Sequence, residues 1–284
     1  MSQHSGFHYS QLPHSDSSTD ALDLLWFDDS DHPFAPSELP PDKQFRDADC
    51  ISMRSSSSDP NALVVGIQAG SNENLDGHRH LDLGSFVLDA LGERWILDLG
   101  TEPEIGRRQA WEYYRVRAEG HNLPILNPNE GPDQKLDARA PINLLESTPT
   151  RATAVVDLAD AYAGHVSKAT RTFEMVDRQF VTLADEIEEG WPIVDFWWFL
   201  HTAAEIEIDD LLTTATLTQN GKKLIVAIER GPSRADFEIR DAVPLEDSPH
   251  PEQCENPGVR KLAIHLSNIT QFKVEVSFTP AGEG

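Results

Sequence analysis

The sequence predicts an all-β fold: a two-layer antiparallel β-sandwich of about a dozen strands, preceded by a short irregular or helical segment. Three observations carry that expectation. From Ala62 onward, apolar and polar residues alternate in short runs, as half-buried strands do. Turn chemistry separates the runs. No sustained heptad pattern and no fixed-period repeat competes with this reading.

The runs follow one another at sandwich spacing. Leu63–Gln68 is followed by Ser85–Leu91 and Arg94–Leu99, the last two joined by Ala90-Leu91-Gly92-Glu93. Next come Ala152–Leu158, then Lys168–Val176 and Gln179–Glu186, joined at Val176-Asp177-Arg178. Val194–His201, Leu211–Thr218, Lys222–Ile228, Lys261–Leu266 and Phe272–Phe278 complete the series. Asn220-Gly221 between two β-rich runs is the strongest hairpin signal, because a type I′ turn needs positive φ at both central residues. Residues 1–61 read differently, as an N-terminal segment ahead of a β-domain over 62–284. They hold the Ser-rich SDSS and SSSSDP, the Pro-rich SELPPD and one candidate helix, Thr19–Phe27.

The chain has 284 residues and a net charge of −25, from 23 Lys and Arg against 48 Asp and Glu. Such acidity repels phosphate backbones and argues against general nucleic-acid binding; a salt-adapted surface accounts for it equally. No apolar run approaches the roughly 18 residues a membrane span requires. Cys50 and Cys254 fit neither a disulfide framework nor a paired-cysteine metal motif. The first residues lack the basic start and apolar core of a signal peptide. GxSxG, Walker and HExxH signatures are missing too, which removes the usual signs of serine hydrolases, nucleotide enzymes and zincins.

The densest polar segment is Gly70–Gly84, GSNENLDGHRHLDLG. His78 and His80 flank Arg79, and on an extended chain residues i and i+2 share a face. Asp98 follows at the end of the Arg94–Leu99 run, and His121 lies in AEGHN. Two imidazoles and a carboxylate are a common zinc set, although the same histidines read equally as surface or strand-end residues. Arg107, Arg108, Arg115 and Arg117 against Glu112 make a local +3, suited to bidentate contact with carboxylates or sulfates. Asn72, Asn74, Tyr113 and Tyr114 are further sugar-contact candidates, with turn and packing roles as their plain alternatives. Trp197, Trp198 and Phe199 form either a stacking platform or core. His165 and His201 read as satisfied or surface histidines.

The ordered run GSNENLDGHRHLDLGSFVLDALGERWILDLG, followed by YYRVRAEGHNLPIL, resembles the heparinase II/III-like polysaccharide lyases. The family's H-x-H-x-D-x-GSF segment corresponds to His78 through Phe86. Its strand-closing acid corresponds to Asp98, and its segment from an arginine to an HN pair corresponds to Arg115 through Asn122. The resemblance runs from about Leu63 to Ile208. It implies that His80, Asp98 and His121 hold a structural zinc and that His78 faces the substrate channel. Asn72, Tyr114 and Arg115 would then contact substrate. The implied reaction is β-elimination on a uronate-containing acidic polysaccharide, of the heparin, heparan sulfate or alginate kind.

The resemblance also implies an N-terminal α/α toroid, as an upstream domain or separate partner, which supplies the proton-abstracting tyrosine. Little precedes the β-domain here, Thr19–Phe27 reads as its remnant, and Tyr9 is the only tyrosine before the histidine pair. A full-length enzyme of this family would be periplasmic or secreted. The rival expectation is a non-catalytic carbohydrate-binding or structural sandwich descended from such a lyase.

Overall fold

The computed structural model describes residues 39–73, 80–102, 109–189 and 194–282. Nineteen strands run through them. In the first part of the chain they are β1 (Asp42–Phe45), β2 (Cys50–Arg54), β3 (Val64–Gln68), β4 (Gly70–Ser71), β5 (Phe86–Ala90), β6 (Glu93–Ile96) and β7 (Pro124–Leu126). Next come β8 (Arg139–Ala140), β9 (Ile142–Ser147), β10 (Arg151–Asp157), β11 (Val166–Val176), β12 (Phe180–Glu189) and β13 (Val194–Thr202). The series ends with β14 (Glu205–Ile208), β15 (Thr214–Gln219), β16 (Lys222–Arg230), β17 (Phe237–Asp241), β18 (Arg260–Ile269) and β19 (Gln271–Ala281). Among the described residues the only helical pieces are two single 3-10 turns, Ala110–Glu112 and Ala118–Gly120. The all-β expectation holds.

One layer is an eight-stranded sheet in the order β14-β15-β16-β19-β12-β11-β10-β9. Facing it are a five-stranded sheet, β1-β2-β3-β5-β6, and a four-stranded sheet, β17-β18-β13-β7. The Leu97 amide, just past β6, donates to the His201 carbonyl of β13 at 3.1 Å and links these two sheets. The pair β4-β8 closes one end. Among the described residues every pairing between these strands is antiparallel.

Period-two patterning decides which side chains meet between the layers. In β11, Ala169, Phe173 and Met175 point inward, alternating with residues that are not buried. Phe86 of β5 packs edge-on against Phe173 and Phe278, and Phe196 of β13 against Phe272. These aromatic contacts between facing sheets form part of one continuous core. The outer face of the four-stranded sheet is also covered. There Ile125, Trp197, Phe199 and Ala263 join Leu81, Ala118, Leu123 and Leu245 in a second cluster under the loops. The Trp197-Trp198-Phe199 run thus has both faces buried, Trp198 in the main core and its neighbours in the second.

Three tight turns have the chemistry expected of them. Leu91-Gly92, Asp177-Arg178 and Asn220-Gly221 all have positive φ at both central residues, the type I′ requirement that matches strand twist. Two features differ from the sequence expectation. The run assigned to Arg94–Leu99 ends as a strand at Ile96, so Asp98 sits in the following loop. β1 and β2 lie inside residues 1–61 and pair with each other and then with β3, so the first sheet begins before Ala62. The candidate helix Thr19–Phe27 and Tyr9 lie outside the described residues.

Candidate active site

Three loops on the five-stranded side converge. The first runs from β4 to β5, the second follows β6, and the third carries the 3-10 turn Ala118–Gly120. His80 comes from the first, Asp98 from the second and His121 from the third. His121 Nδ1 and Asp98 Oδ2 are 2.7 Å apart, and the His80 and His121 rings lie 5.2 Å apart, tilted by 42°. Asp98 uses its other oxygen to accept the Gly100 amide at 2.8 Å, which curls the loop after β6 back on itself.

Local backbone rules place these side chains. The His121 amide donates to the Ala118 carbonyl, so the 3-10 turn delivers its ring inward. Gly120 is needed in that turn because a Cβ there would lie 2.0 Å from the Tyr114 carbonyl oxygen. Gly84 closes the first loop at φ +88° with the Leu158 methyls against it. Leu81 anchors the same loop from below, its amide donating to the Val116 carbonyl at 2.7 Å.

The electrostatics follow from burial and proximity. Burial is the largest influence on His80 and, with His121 beside it, takes its pKa down to about 4 against the opposing pull of Asp98. Burial also disfavours charge on His121, yet the charge and hydrogen bond of Asp98 raise its pKa above the ordinary histidine value. His121 Nε2 is buried without a hydrogen bond of good geometry, and the nearby Arg115 backbone favours its protonated form. Burial would raise the Asp98 pKa, but His121 holds it well below the carboxylate range. The shifts thus favour a neutral imidazole at His80 and strengthen the His121–Asp98 pair.

The donors fit zinc in kind, since imidazole and carboxylate are its usual ligands and His121 Nε2 is a buried nitrogen with an incomplete shell. In arrangement, Asp98 is closed onto His121. Among the described residues, no group of three or more His, Cys, Asp or Glu side chains is set to hold a metal ion.

His80 and Asp98 line the wall of an open cleft of about 430 Å³, together with Asp47, Asp49, Gln68 and Asp82. A second groove of about 360 Å³ shares Gln68, Asp82 and Asp98 and continues over the outer face of β2, β3 and β5, past Cys50 and Gly66. Cys50 and Cys254 form no disulfide.

The other expected site residues are placed as follows. His78 and Arg79 lie outside the described residues, as do Asn74, Arg107 and Arg108. Asn72 is fully buried, and its amide nitrogen donates to Gln134 Oε1 and the Lys135 carbonyl. Tyr113 is buried, and Tyr114 is buried with its hydroxyl 2.8 Å from His201 Nε2. Burial pushes the Tyr114 phenol well above its ordinary range, with Glu119 and Asp133 adding to the shift. Arg115 is half-buried, and its guanidinium donates to Asn256 Oδ1 and to the Glu255 and Thr101 carbonyls. Asn72, Tyr114 and Arg115 therefore brace the loops in this arrangement instead of presenting free groups to a glycan. Arg117, also in the basic stretch, is buried against Asp133 and Glu119.

Several residues hold the site in roles the sequence did not assign, although Asn122 stands in the HN motif and His201 reads there as a satisfied or surface histidine. Asn122 donates to the Phe86 and Leu97 carbonyls at 2.7 and 2.9 Å and accepts the His201 amide at 2.7 Å, so one side chain joins β5, the loop after β6 and β13. Gln134 exchanges hydrogen bonds with both backbone groups of Leu83, as a neighbouring strand would. His201 is buried, and its pKa is lowered well below the usual value by burial, then by Lys261 and His121. Its neutral ring meets both Tyr114 and Asn122. The signal for Asn122 was its place directly after His121; Gln134 gave none.

A chain with this two-layer fold and these loops has identifiable relatives. The model of the family described as heparinase II/III-like, C-terminal, matches residues 38–277. Among solved structures, heparan sulfate lyase HepC from Pedobacter heparinus superposes with a TM-score of 0.68 at 13% identity, over 87% of this chain and 37% of that one. A heparinase III structure gives 0.62 at 16% identity, over 84% of this chain and 36% of that one. The chain thus spans little more than a third of the length of these structures. No curated protein matches the sequence. With His80 and Asp98 at one cleft, His121 in contact with Asp98 behind it, and the family model spanning nearly all of the described sandwich, the chain belongs to the heparinase II/III-like C-terminal family.

Proposed function

We propose that this domain is the β-sandwich portion of a polysaccharide lyase that cleaves a uronate-containing acidic polysaccharide by β-elimination, working with a helical α/α toroid domain. The observation that supports this most directly is that His80 and Asp98 line an open cleft with the buried His121 in contact with Asp98, and His80 stands two residues after His78. In the reaction a base takes the proton from C5 of the uronate and the electron pair forms the C4–C5 double bond. The C4–O bond breaks and its oxygen leaves with a proton from an acid. The C5 proton is only weakly acidic while the carboxylate is ionised, so positive or hydrogen-bonding groups must stabilise the developing dianion. His78 is the residue assigned to that task. Arg115, the least buried of the three proposed contact residues, stands nearest to a substrate role, with Asn72 and Tyr114 supporting the loops beneath.

His80, Asp98 and His121 are the residues that would hold a zinc ion, which would fix the shape of the loops. The chain's own residues orient and exclude: the buried Tyr114–His201–Asn122 series keeps water from the back of the site. Zinc content of the purified chain tests this assignment. About one ion per chain, absent from His80→Ala, supports it; none in the unaltered chain refutes it. The lyase reading is tested by incubating the chain, with its helical partner domain, with heparin, heparan sulfate and alginate and recording ultraviolet absorbance of unsaturated uronate. Product that disappears with His78→Ala supports the assignment, and near-native turnover in that variant refutes it.

A second reading rests on the carboxylates of the cleft. Asp47, Asp49, Asp82 and Asp98 among its described lining disfavour a polyanion and favour a neutral glycan held by a non-catalytic module. Glycan binding without unsaturated product, with the helical domain present, would favour it.

A further inference from the structure

The inner face of a sandwich strand is a costly place for a charge, yet Arg171 of β11 sits there in phase with Ala169, Phe173 and Met175. It is fully buried, as is its cross-strand partner Asp185 of β12. Arg171 Nε and Nη2 donate to the two Asp185 oxygens at 2.8 and 2.9 Å, a bidentate fork. Trp198 Nε1 donates to the same carboxylate at 3.1 Å. The remaining nitrogen, Nη1, crosses to the opposite layer. There it donates to the Gly84 carbonyl at 2.9 Å and to the Asn122 carbonyl at 2.6 Å.

Those two carbonyls belong to the loops that carry the candidate site. Gly84 lies in the loop that carries His80, and Asn122 directly follows His121. Phe86 and Phe173 flank the guanidinium, with ring centroids 5.8 and 5.9 Å from its carbon, and leave it little room to tilt. A buried ion pair is a poor device for stability, because apolar residues of the same volume do as well or better. A fork whose free nitrogen ties two loops together specifies a geometry that apolar residues would not.

We propose that Arg171, oriented by Asp185, is a positioning residue that sets the His80 loop against the His121 loop. The proposal deepens the functional reading above and rests on it for the significance of those histidines, but its geometry does not depend on zinc.

The test uses Arg171→Lys, which keeps the charge and loses the fork, and Asp185→Asn, which loses the charge that orients the guanidinium. Arg178→Lys serves as a control, since its partners Asp42, Arg54, Thr148 and Arg151 lie in neither loop. Imidazole nitrogen resonances are recorded on metal-free protein well below its melting temperature. Zinc affinity is measured separately by competition with a chromophoric chelator. The expected result is displaced or broadened His80 and His121 signals in Arg171→Lys and Asp185→Asn, with His165 and His265 unchanged. Zinc affinity should fall by about tenfold to a hundredfold in both, as for other residues that orient metal ligands. The Arg178 control should leave both readouts unmoved.

Unchanged His80 and His121 signals in a folded variant would overturn the proposal. So would equal displacement of all histidines, or the same change in the Arg178 control, since either would mark general loosening. If one variant fails to fold the other decides, and failure of both would make the pair purely structural. A wild-type chain that takes no zinc would refute the metal assignment alone, leaving the imidazole comparison to judge Arg171.

Discussion

Removing Asp42 should destabilise the whole sandwich, although it lies in the stretch of sequence that looks least structured. Its carboxylate has no exposed side-chain surface and accepts both terminal nitrogens of Arg178 at 2.7 Å, while Ser147 Oγ donates to it at 2.6 Å. Arg178 stands in the β11–β12 turn and is only 10% exposed, so this pair fastens β1 to the opposite layer. Breaking a buried pair from one side costs about 3–5 kcal/mol. Arg178 keeps the Arg54 and Thr148 carbonyls and some contact with water, which places Asp42→Ala near the lower end, about 3 kcal/mol. For a domain of this size each kcal/mol shifts the melting temperature by about 2–4 °C, so the expected loss is about 6–12 °C. Thermal unfolding followed by circular dichroism measures it directly. The double variant Asp42→Ala/Arg178→Met removes both charges and should lose clearly less than the two single losses combined. A single-variant shift under about 2 °C, or strict additivity, would refute the argument that the two groups are coupled and buried.

Four other outcomes follow from particular positions. Gly120→Ala forces a Cβ onto the Tyr114 carbonyl and should cost about 3 kcal/mol in chemical denaturation. Gly100→Ala, with open space around it but φ +70°, should cost only about 1 kcal/mol. Gln134→Met strands both backbone groups of Leu83 and should lose about 2–3 kcal/mol, with faster hydrogen exchange at the Leu83 amide. Gln219, Lys222 and Asn220 together take the Glu93 carboxyl from its ordinary 4.5 down to about 2. Its folded pKa is depressed, so its stabilisation is present above about pH 4.5 and lost as pH falls toward 2. The melting-temperature difference between wild type and Glu93→Gln should therefore shrink across that window, and a constant difference would count against the interaction.

The fold was legible wherever a strand is half-buried, because alternation then appears in the chain itself. Phe173 and Met175, or Val274, Val276 and Phe278, announce their inward face without a structure. The turns were legible for a related reason: Asn220-Gly221 and Leu91-Gly92 bring glycine where φ must be positive. Short strands gave weaker signals. β1, with the sequence DKQF, has no apolar alternation, and it joins the sheet through pairing with β2 and the bond between Asp42 and Arg178. β7 is three residues long and begins with proline, which suits its place at a sheet edge but resembles a loop.

The site was legible in its residue types and much less so in its supports. His80, Asp98 and His121 stand in motifs whose spacing can be read, and two of the three are now seen in hydrogen-bond contact. What orients them comes from far along the chain: Arg171 reaches back 87 residues to Gly84 and 49 to Asn122. Spacing along a chain says nothing about such partners, because they are brought together only when the two layers close. A trace of them does exist in the alternation. Arg171 and Asp185 are charges at inward-phased positions of adjacent strands, and a pattern that buries a charge demands a partner for it. The supporting contacts of the expected substrate residues are hidden for the opposite reason. Asn72, Tyr114 and Arg115 are polar residues in a polar segment, which looks like exposure, yet the loops fold over them and their hydrogen bonds are spent on Gln134, His201 and Asn256. Polarity in a loop therefore marks a functional surface only when its hydrogen-bonding capacity is not needed to hold the loop, and that accounting requires the third dimension.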